Sequence, residues 1–177
     1  MQITIEHIQM ENEIVNKVAQ SGLVTIDLED YFISGERILF DIKSWLFEEL
    51  VLREKDFREN IGKHDWSQYT DKLVAITCTA DAIVPTWAFM LITTQLEPYT
   101  KSIVFGNLEK LEEDNFMNQI AKLNVEDFKA QKVVIKGCSK IHVPVSVYVA
   151  LTAKLRPVVK SIMYGEPCST VPIYKKK

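Results

Sequence analysis

An internal repeat constrains the fold of this 177-residue chain more than any other feature of its sequence. The segment from Val74 to Gly106 recurs 59 residues later, without a gap, as Val133 to Gly165. Eleven of the 33 aligned positions are identical, and apolar residues match apolar ones at most of the others. The identical pairs are Val74/Val133, Ile76/Ile135, Val84/Val143, Pro85/Pro144, Thr93/Thr152, Leu96/Leu155, Pro98/Pro157, Lys101/Lys160, Ser102/Ser161, Ile103/Ile162 and Gly106/Gly165. A repeat of this length predicts one structural unit built twice.

The same offset extends backwards, because Leu52/Leu111, Phe57/Phe116 and Ile61/Ile120 also match. The duplicated unit therefore spans about residues 52–106 and 111–165. Each copy contains a short apolar run typical of a buried strand, a polar turn, and a Val-Pro pair suited to helix entry. A twelve-residue apolar segment, a proline and a Lys-Ser-Ile run that ends in glycine follow in each copy.

These patterns predict seven alternating elements: strands at 73–79, 101–106, 132–138 and 159–164, and helices at 85–97, 110–123 and 144–156. Such alternation is typical of helices layered on a parallel sheet. We therefore predict an α/β layered domain with a mostly parallel sheet and internal pseudo-twofold symmetry. In the last helix Val145, Val147 and Val149 alternate with a period of two, so a strand is an alternative there.

The remaining segments are less periodic. Residues 11–21 predict a helix that ends at Gly22, and Leu23–Leu28 predict a further strand of the sheet. Asp41 is a candidate cap for a helix over FDIKSWLFEELVL, and Glu54–Ile61 predict another helix. Residues 1–9 are a candidate N-terminal extension, and residues 10–177 are expected to form one domain.

Charge and composition exclude several function classes. The net charge is −3 and evenly spread, so we expect no nucleic-acid partner. Without a long apolar segment or a signal-peptide pattern, we expect no membrane span and a cytoplasmic location. An odd count of three cysteines argues against a secreted disulfide framework.

Six candidate ligand residues follow predicted strands of the repeat. If these strands are parallel, their carboxyl ends meet at one sheet edge, where open α/β sheets bind ligands. That edge would gather Cys78, Asp81, Cys138, His142, Glu166 and Cys168. Thiolates bind zinc or iron–sulfur clusters, and they also act as nucleophiles or sulfur carriers. The alternative is plain packing, which we favour for Cys78, whereas Cys138 and Cys168 lie in turns and are better candidates.

A second candidate site is polar and duplicated. Lys101 with Ser102 repeats as Lys160 with Ser161, so the two pairs either bind anions symmetrically or serve as structural contacts at the strand entrances. The helix entries at Pro85 and Pro144 also offer backbone N–H groups to an anion.

Several longer segments resemble a bacterial protein family of unknown function. They are ENEIVNKVAQSGLVTIDLEDY, HDWSQY, ADAIVPTWAFML and KSIMYGEPCSTVPIYK, and the resemblance runs from Met10 to Lys177. Genes of such proteins often neighbour those of the Suf iron–sulfur assembly system. The resemblance therefore implies iron–sulfur assembly proteins as partners, and it implies no particular activity.

Three hypotheses for function follow. The first is an accessory factor of iron–sulfur or metal–thiol metabolism, with zinc or an iron–sulfur cluster held by the cysteines. The second is a non-catalytic interaction module, or homodimer, whose contact surface includes Trp87, Phe89 and Met90. The third is an enzyme that binds an anionic small molecule at the helix entries.

Overall fold

The computed structural model describes residues 22–137 and 140–177 of the chain. The predicted helix over residues 11–21, together with Cys138 and Ser139, lies outside the described residues. The helices are α1 Glu54–Lys63, α2 Thr86–Leu96, α3 Leu108–Lys122 and α4 Val145–Leu155. The strands are β1 Leu23–Asp27, β2 Arg37–Asp41, β3 Leu73–Thr77, β4 Ser102–Phe105, β5 Lys132–Lys136, β6 Ser161–Glu166 and β7 Ser169–Lys175. Every predicted strand and helix of the repeat is confirmed, including the helix rather than a strand at α4.

The strands within the described residues form two sheets. Sheet A has the order β1-β5-β6-β7, and sheet B has the order β2-β3-β4. All pairs are parallel except β6 with β7, which is antiparallel. The α/β class and the largely parallel arrangement are therefore confirmed, but the expectation that the repeat strands share one sheet is wrong.

Each sheet takes two neighbouring parallel strands from one copy of the repeat. Leu73 pairs with Ser102 in sheet B, and Lys132 pairs with Ser161 in sheet A, so the two registers differ by the 59-residue offset. The first strand of each sheet comes from the N-terminal region. In sheet B, β2 pairs with β3, with Arg37 opposite Leu73. In sheet A, β1 pairs with β5, with Leu23 opposite Lys132. A common origin of the two copies stays a prediction.

Helix α3 packs between the two halves. Its residues Phe116 and Ile120 belong to the core of sheet A, together with residues of β5 and α4. Its Leu111 packs against Leu73 and Val104 of sheet B, on the face opposite to the core under α1 and α2. One helix therefore contributes to the cores of both sheets, which couples the halves.

Short side chains end the strands and start single turns of 3₁₀ helix. Asp41 accepts a hydrogen bond from the backbone N–H of Lys43 at 2.9 Å, and Asp27 accepts one from Glu29 at 3.0 Å. Asp41 therefore is a cap, as predicted, but the helix that it caps covers only Ile42–Trp45. The longer helix predicted over FDIKSWLFEELVL is wrong, because Phe47 and Val51 form an antiparallel bridge instead.

The prolines of the repeat set the limits of helices α2 and α4. Pro85 and Pro144 occupy the cap position just before each helix rather than its first turn. Each helix ends two residues before Pro98 or Pro157, because proline lacks the N–H that the helix would need. The hairpin of β6 and β7 was not predicted from the sequence.

Candidate functional site

The predicted thiol edge is divided between the two sheets. Cys78 and Asp81 follow β3 in sheet B, whereas Glu166 ends β6 in sheet A and Cys168 lies in the turn after it. The expectation that these four residues lie at one sheet edge is therefore wrong. The residues are separated because the parallel strands of each copy pair with each other, within one half, and not with the strands of the other copy.

The described cysteines have different surroundings. Cys78 is half-buried against the core of sheet B, and its thiol lies 3.9 Å from the carbonyl oxygen of Ala80. Cys168 is exposed. Cys138, the third, lies outside the described residues. The packing role expected of Cys78 agrees with its position.

The remaining predicted ligands also have separate neighbours. The Glu166 carboxylate lies 3.7 Å from the Lys136 ammonium. His142 is exposed and lines an open groove of about 520 Å³ with the first turns of α3 and α4. Within residues 22–137 and 140–177, no group of three or more His, Cys, Asp or Glu side chains is placed to hold a metal ion. The described donors therefore do not fit a zinc or iron–sulfur site, and such a site at Cys138 stays a prediction.

The polar end of sheet A has a structural role that the sequence alone did not indicate. The Lys136 ammonium lies 3.1 Å from the Asp27 carboxylate, so the two residues join β5 to β1. The hydrogen bond and charge of Asp27 raise the pKa of Lys136. Burial alone would raise the pKa of Asp27, but hydrogen bonds from Glu29 and Lys136 outweigh it and lower that pKa.

The two lysine–serine pairs differ in their contacts. The Lys101 ammonium donates a hydrogen bond to the carbonyl oxygen of Ser34 at 3.3 Å, which favours the interpretation of this pair as a structural contact. Lys160 is exposed and lines two open grooves at the end of sheet A. Ser102 and Ser161 occupy the same register position at the start of β4 and β6. The two pairs therefore share a backbone register but differ in the contacts of their lysine side chains, and anion binding by either pair stays a prediction.

An apolar surface extends over helix α2 and strand β4. It lines an open groove of about 580 Å³ formed by Thr86, Phe89, Met90, Thr93, Thr94 and Phe105, and we call this the α2–β4 surface. Met90 is 64% exposed and Phe105 is 66% exposed. The Phe89 and Phe105 rings meet edge to face, with centroids 4.9 Å apart. Phe89 and Met90 were predicted from the sequence, whereas Phe105 was not.

Among the strands of residues 22–137 and 140–177, β4 is also an open edge of sheet B. Its counterpart β6 is paired on both sides, with β5 and with β7. The corresponding ring pair, Tyr148 and Tyr164, meets edge to face at 5.8 Å and lines a groove with Ile173 of β7. A signal for this difference was present in the sequence, because residues after Gly165 include a strand-like run and those after Gly106 lead directly into a helix.

No helix within the described residues has both the length and the apolar character that crossing a bilayer demands.

Comparison with known proteins agrees with the resemblance noted from the sequence. No curated protein and no solved structure matches the chain. A family model described as "Protein of unknown function (DUF2480)" matches residues 12–176. With all but its ends covered by that model, the chain belongs to the DUF2480 family.

Proposed function

We propose that the protein is a non-catalytic interaction module that forms a homodimer through the α2–β4 surface. The observation that carries the proposal is the open edge strand β4, on which Phe105 is 66% exposed beside Phe89. An apolar edge strand exposes unpaired backbone groups and is a ready template for another strand. Contiguous exposed apolar side chains are typical of interaction sites.

The charge pattern of β4 favours a second copy of the same strand as the partner. Residues Ser102–Phe105 include no charged side chain, whereas natural edge strands are commonly protected by charges. Antiparallel pairing of β4 with itself across a twofold axis would therefore oppose no like charges within the strand. Such an interface is closed, because each copy contributes the same surface.

Sheet A provides a template for this pairing within the molecule. Strand β7 runs antiparallel to β6 on the side that corresponds to the open side of β4, with Tyr164 opposite Val171. In the proposed dimer, β4 of the second copy takes the place that β7 has in sheet A. Two three-stranded sheets would then become one continuous sheet.

The experiment is a measurement of molar mass by light scattering after gel filtration, over a range of protein concentrations. We expect a dimer for the wild-type chain and a monomer for Phe105→Lys, because the new charge has no counterion in the apolar interface. Leu50→Lys is the matched control, since Leu50 is 58% exposed outside the α2–β4 surface. It should leave the dimer intact.

The opposite results would overturn the proposal. A wild-type chain that stays monomeric at its highest soluble concentration has no such interface. A dimer that Phe105→Lys does not weaken uses another surface. Thermal unfolding of each variant, followed by circular dichroism, confirms that a change in mass does not reflect loss of the fold.

A further inference from the structure

Six exposed lysines gather at one end of sheet A. Four of them, Lys129, Lys160, Lys176 and Lys177, line a groove of about 590 Å³. Its other lining residues are Glu126, Ala130, Pro157, Val158 and Val159, and we call it the lysine groove. A neighbouring groove of about 390 Å³ is lined by Lys160 as well, and by Lys132 and Lys175. Because Lys160 belongs to both, the two grooves adjoin and form an extended cationic surface.

The charges of this surface are largely unbalanced. Among the described residues that line the two grooves, Glu126 is the only acidic one, and its carboxylate lies 3.3 Å from the Lys129 ammonium. Over the described ranges of the chain, none of the other five lysines has a carboxylate oxygen within ion-pair distance. The whole chain carries a net charge of −3, so this end is a local concentration of positive charge, and the even spread of charge expected from the sequence is wrong.

The corresponding end of sheet B differs in this respect. There the Lys72 ammonium lies 2.8 Å from the Glu36 carboxylate. Lys101, which matches Lys160 in the repeat, donates to the carbonyl oxygen of Ser34. The same backbone framework therefore has satisfied lysines in one half and unsatisfied lysines in the other, so the fold by itself does not require the excess charge.

The apolar part of the lysine groove further limits the kind of partner that fits it. Ala130, Pro157, Val158 and Val159 give it an apolar part, while the ammonium groups supply charge around them. The backbone conformation at Ala130 is left-handed, with a φ of 57°, and its N–H bonds to the carbonyl oxygen of Val158. This contact ties the two loops that form the groove to each other.

We infer that the lysine groove binds an acidic, extended segment of a protein partner. Carboxylates of such a segment would pair with the lysines, and its apolar side chains would contact the apolar part of the groove. Nucleic acid is a poorer match, because the described residues that line the two grooves include no arginine for bidentate phosphate contacts and only one aromatic ring, Tyr174, for base stacking. This inference uses none of the residues of the α2–β4 surface, so either proposal can fail alone.

The test is fluorescence anisotropy with a labelled peptide of alternating glutamate and leucine, at about 0.15 M salt, where charges are screened beyond about 8 Å. We expect saturable binding that weakens as salt is raised. The variant Lys160→Glu/Lys176→Glu should lower the affinity at least tenfold. The matched control Lys72→Glu/Lys101→Glu reverses the same number of charges at the corresponding end of sheet B and should leave the affinity within about twofold.

Three results would overturn the inference. The first is equal affinity of the wild-type chain and Lys160→Glu/Lys176→Glu for the peptide, including no binding by either. The second is an equal loss in both double variants, which would indicate a general effect of net charge. The third is tighter binding of a single-stranded oligonucleotide or of phosphatidylserine vesicles than of the peptide, which would assign the surface to another class of partner. Gel filtration and circular dichroism establish that each variant is folded.

Discussion

At the scale of single residues, His64 shows how aromatic packing sets a protonation equilibrium. Its ring centroid lies 4.7 Å from Trp66 and 5.4 Å from Trp45, and its Nε2 lies 2.9 Å from the Tyr69 hydroxyl. Burial lowers the pKa of His64, and the nearby charge of Asp65 opposes this only in part. Protonated imidazole is therefore less favourable in the folded chain than in the unfolded chain.

This shift predicts that acid destabilises the fold through His64. A histidine whose folded pKa is lowered contributes its stability above the unfolded pKa of about 6.5, and that contribution is lost as pH falls from there towards the folded pKa. We expect the free energy of unfolding in urea to fall over this interval in the wild-type chain. His64→Gln should remove that part of the pH dependence, and His142→Gln, at an exposed position, should keep it. An unchanged pH profile in His64→Gln would contradict the assignment.

At the scale of elements, the two repeats end in glycines that face different neighbours. Gly165 has a φ of +116°, and a Cβ there would lie 2.8 Å from the backbone carbonyl oxygen of Ser169. Gly106 has a φ of +141°, and a Cβ there would meet only the Lys110 side chain, at 3.1 Å. The hairpin partner β7 therefore makes Gly165 the more demanding position.

We predict that Gly165→Ala lowers the free energy of unfolding by about 3 kcal/mol, and that Gly106→Ala lowers it by about 1 kcal/mol. Both variants strain the backbone, but only the first pushes against fixed backbone atoms of another strand. Urea unfolding of the two variants beside the wild-type chain measures the difference. Equal losses would show that backbone conformation alone decides the cost.

At the scale of the whole molecule, helix α3 belongs to the cores of both halves. It contributes Leu111 to the core of sheet B and Phe116 to the core of sheet A. The three tryptophans of the chain, Trp45, Trp66 and Trp87, all belong to or pack against the core under α1 and α2. Tryptophan fluorescence therefore reports on the half that contains sheet B, and far-ultraviolet circular dichroism reports on both halves.

We predict that the two signals give one coincident unfolding transition, as expected for a cooperative domain. Leu111→Ala should lower the stability by about 3 kcal/mol and move both signals together, because the lost contact lies between α3 and sheet B. A fluorescence transition that separates from the dichroism transition, in either chain, would show that the halves unfold independently.

The offset of 59 residues made much of the fold predictable. Local patterns sufficed for each strand and helix of the repeat, since apolar runs, prolines and glycines act over a few neighbouring residues. The long helix predicted after Asp41 is wrong because local patterns do not suffice there. The Asp41 cap is a local signal, but it does not indicate the bridge between Phe47 and Val51 that replaces the rest of the helix. The large apolar side chains of helix α2 predicted Phe89 and Met90 of the α2–β4 surface, but not Phe105, and Trp87 of the same prediction packs against the core of sheet B instead.

The sequence by itself determined the elements of the repeat, their order, the α/β class and the membership in one family, because these depend on local periodicity and on identities along the chain. Only the tertiary structure decided which strands are neighbours. Pairing within each half separated Cys78 from Cys168, left β4 as an open edge and brought Lys129, Lys160 and Lys176 to one groove. Strand pairing depends on backbone hydrogen bonds and on the burial of whole faces, and both join residues that are far apart in the chain.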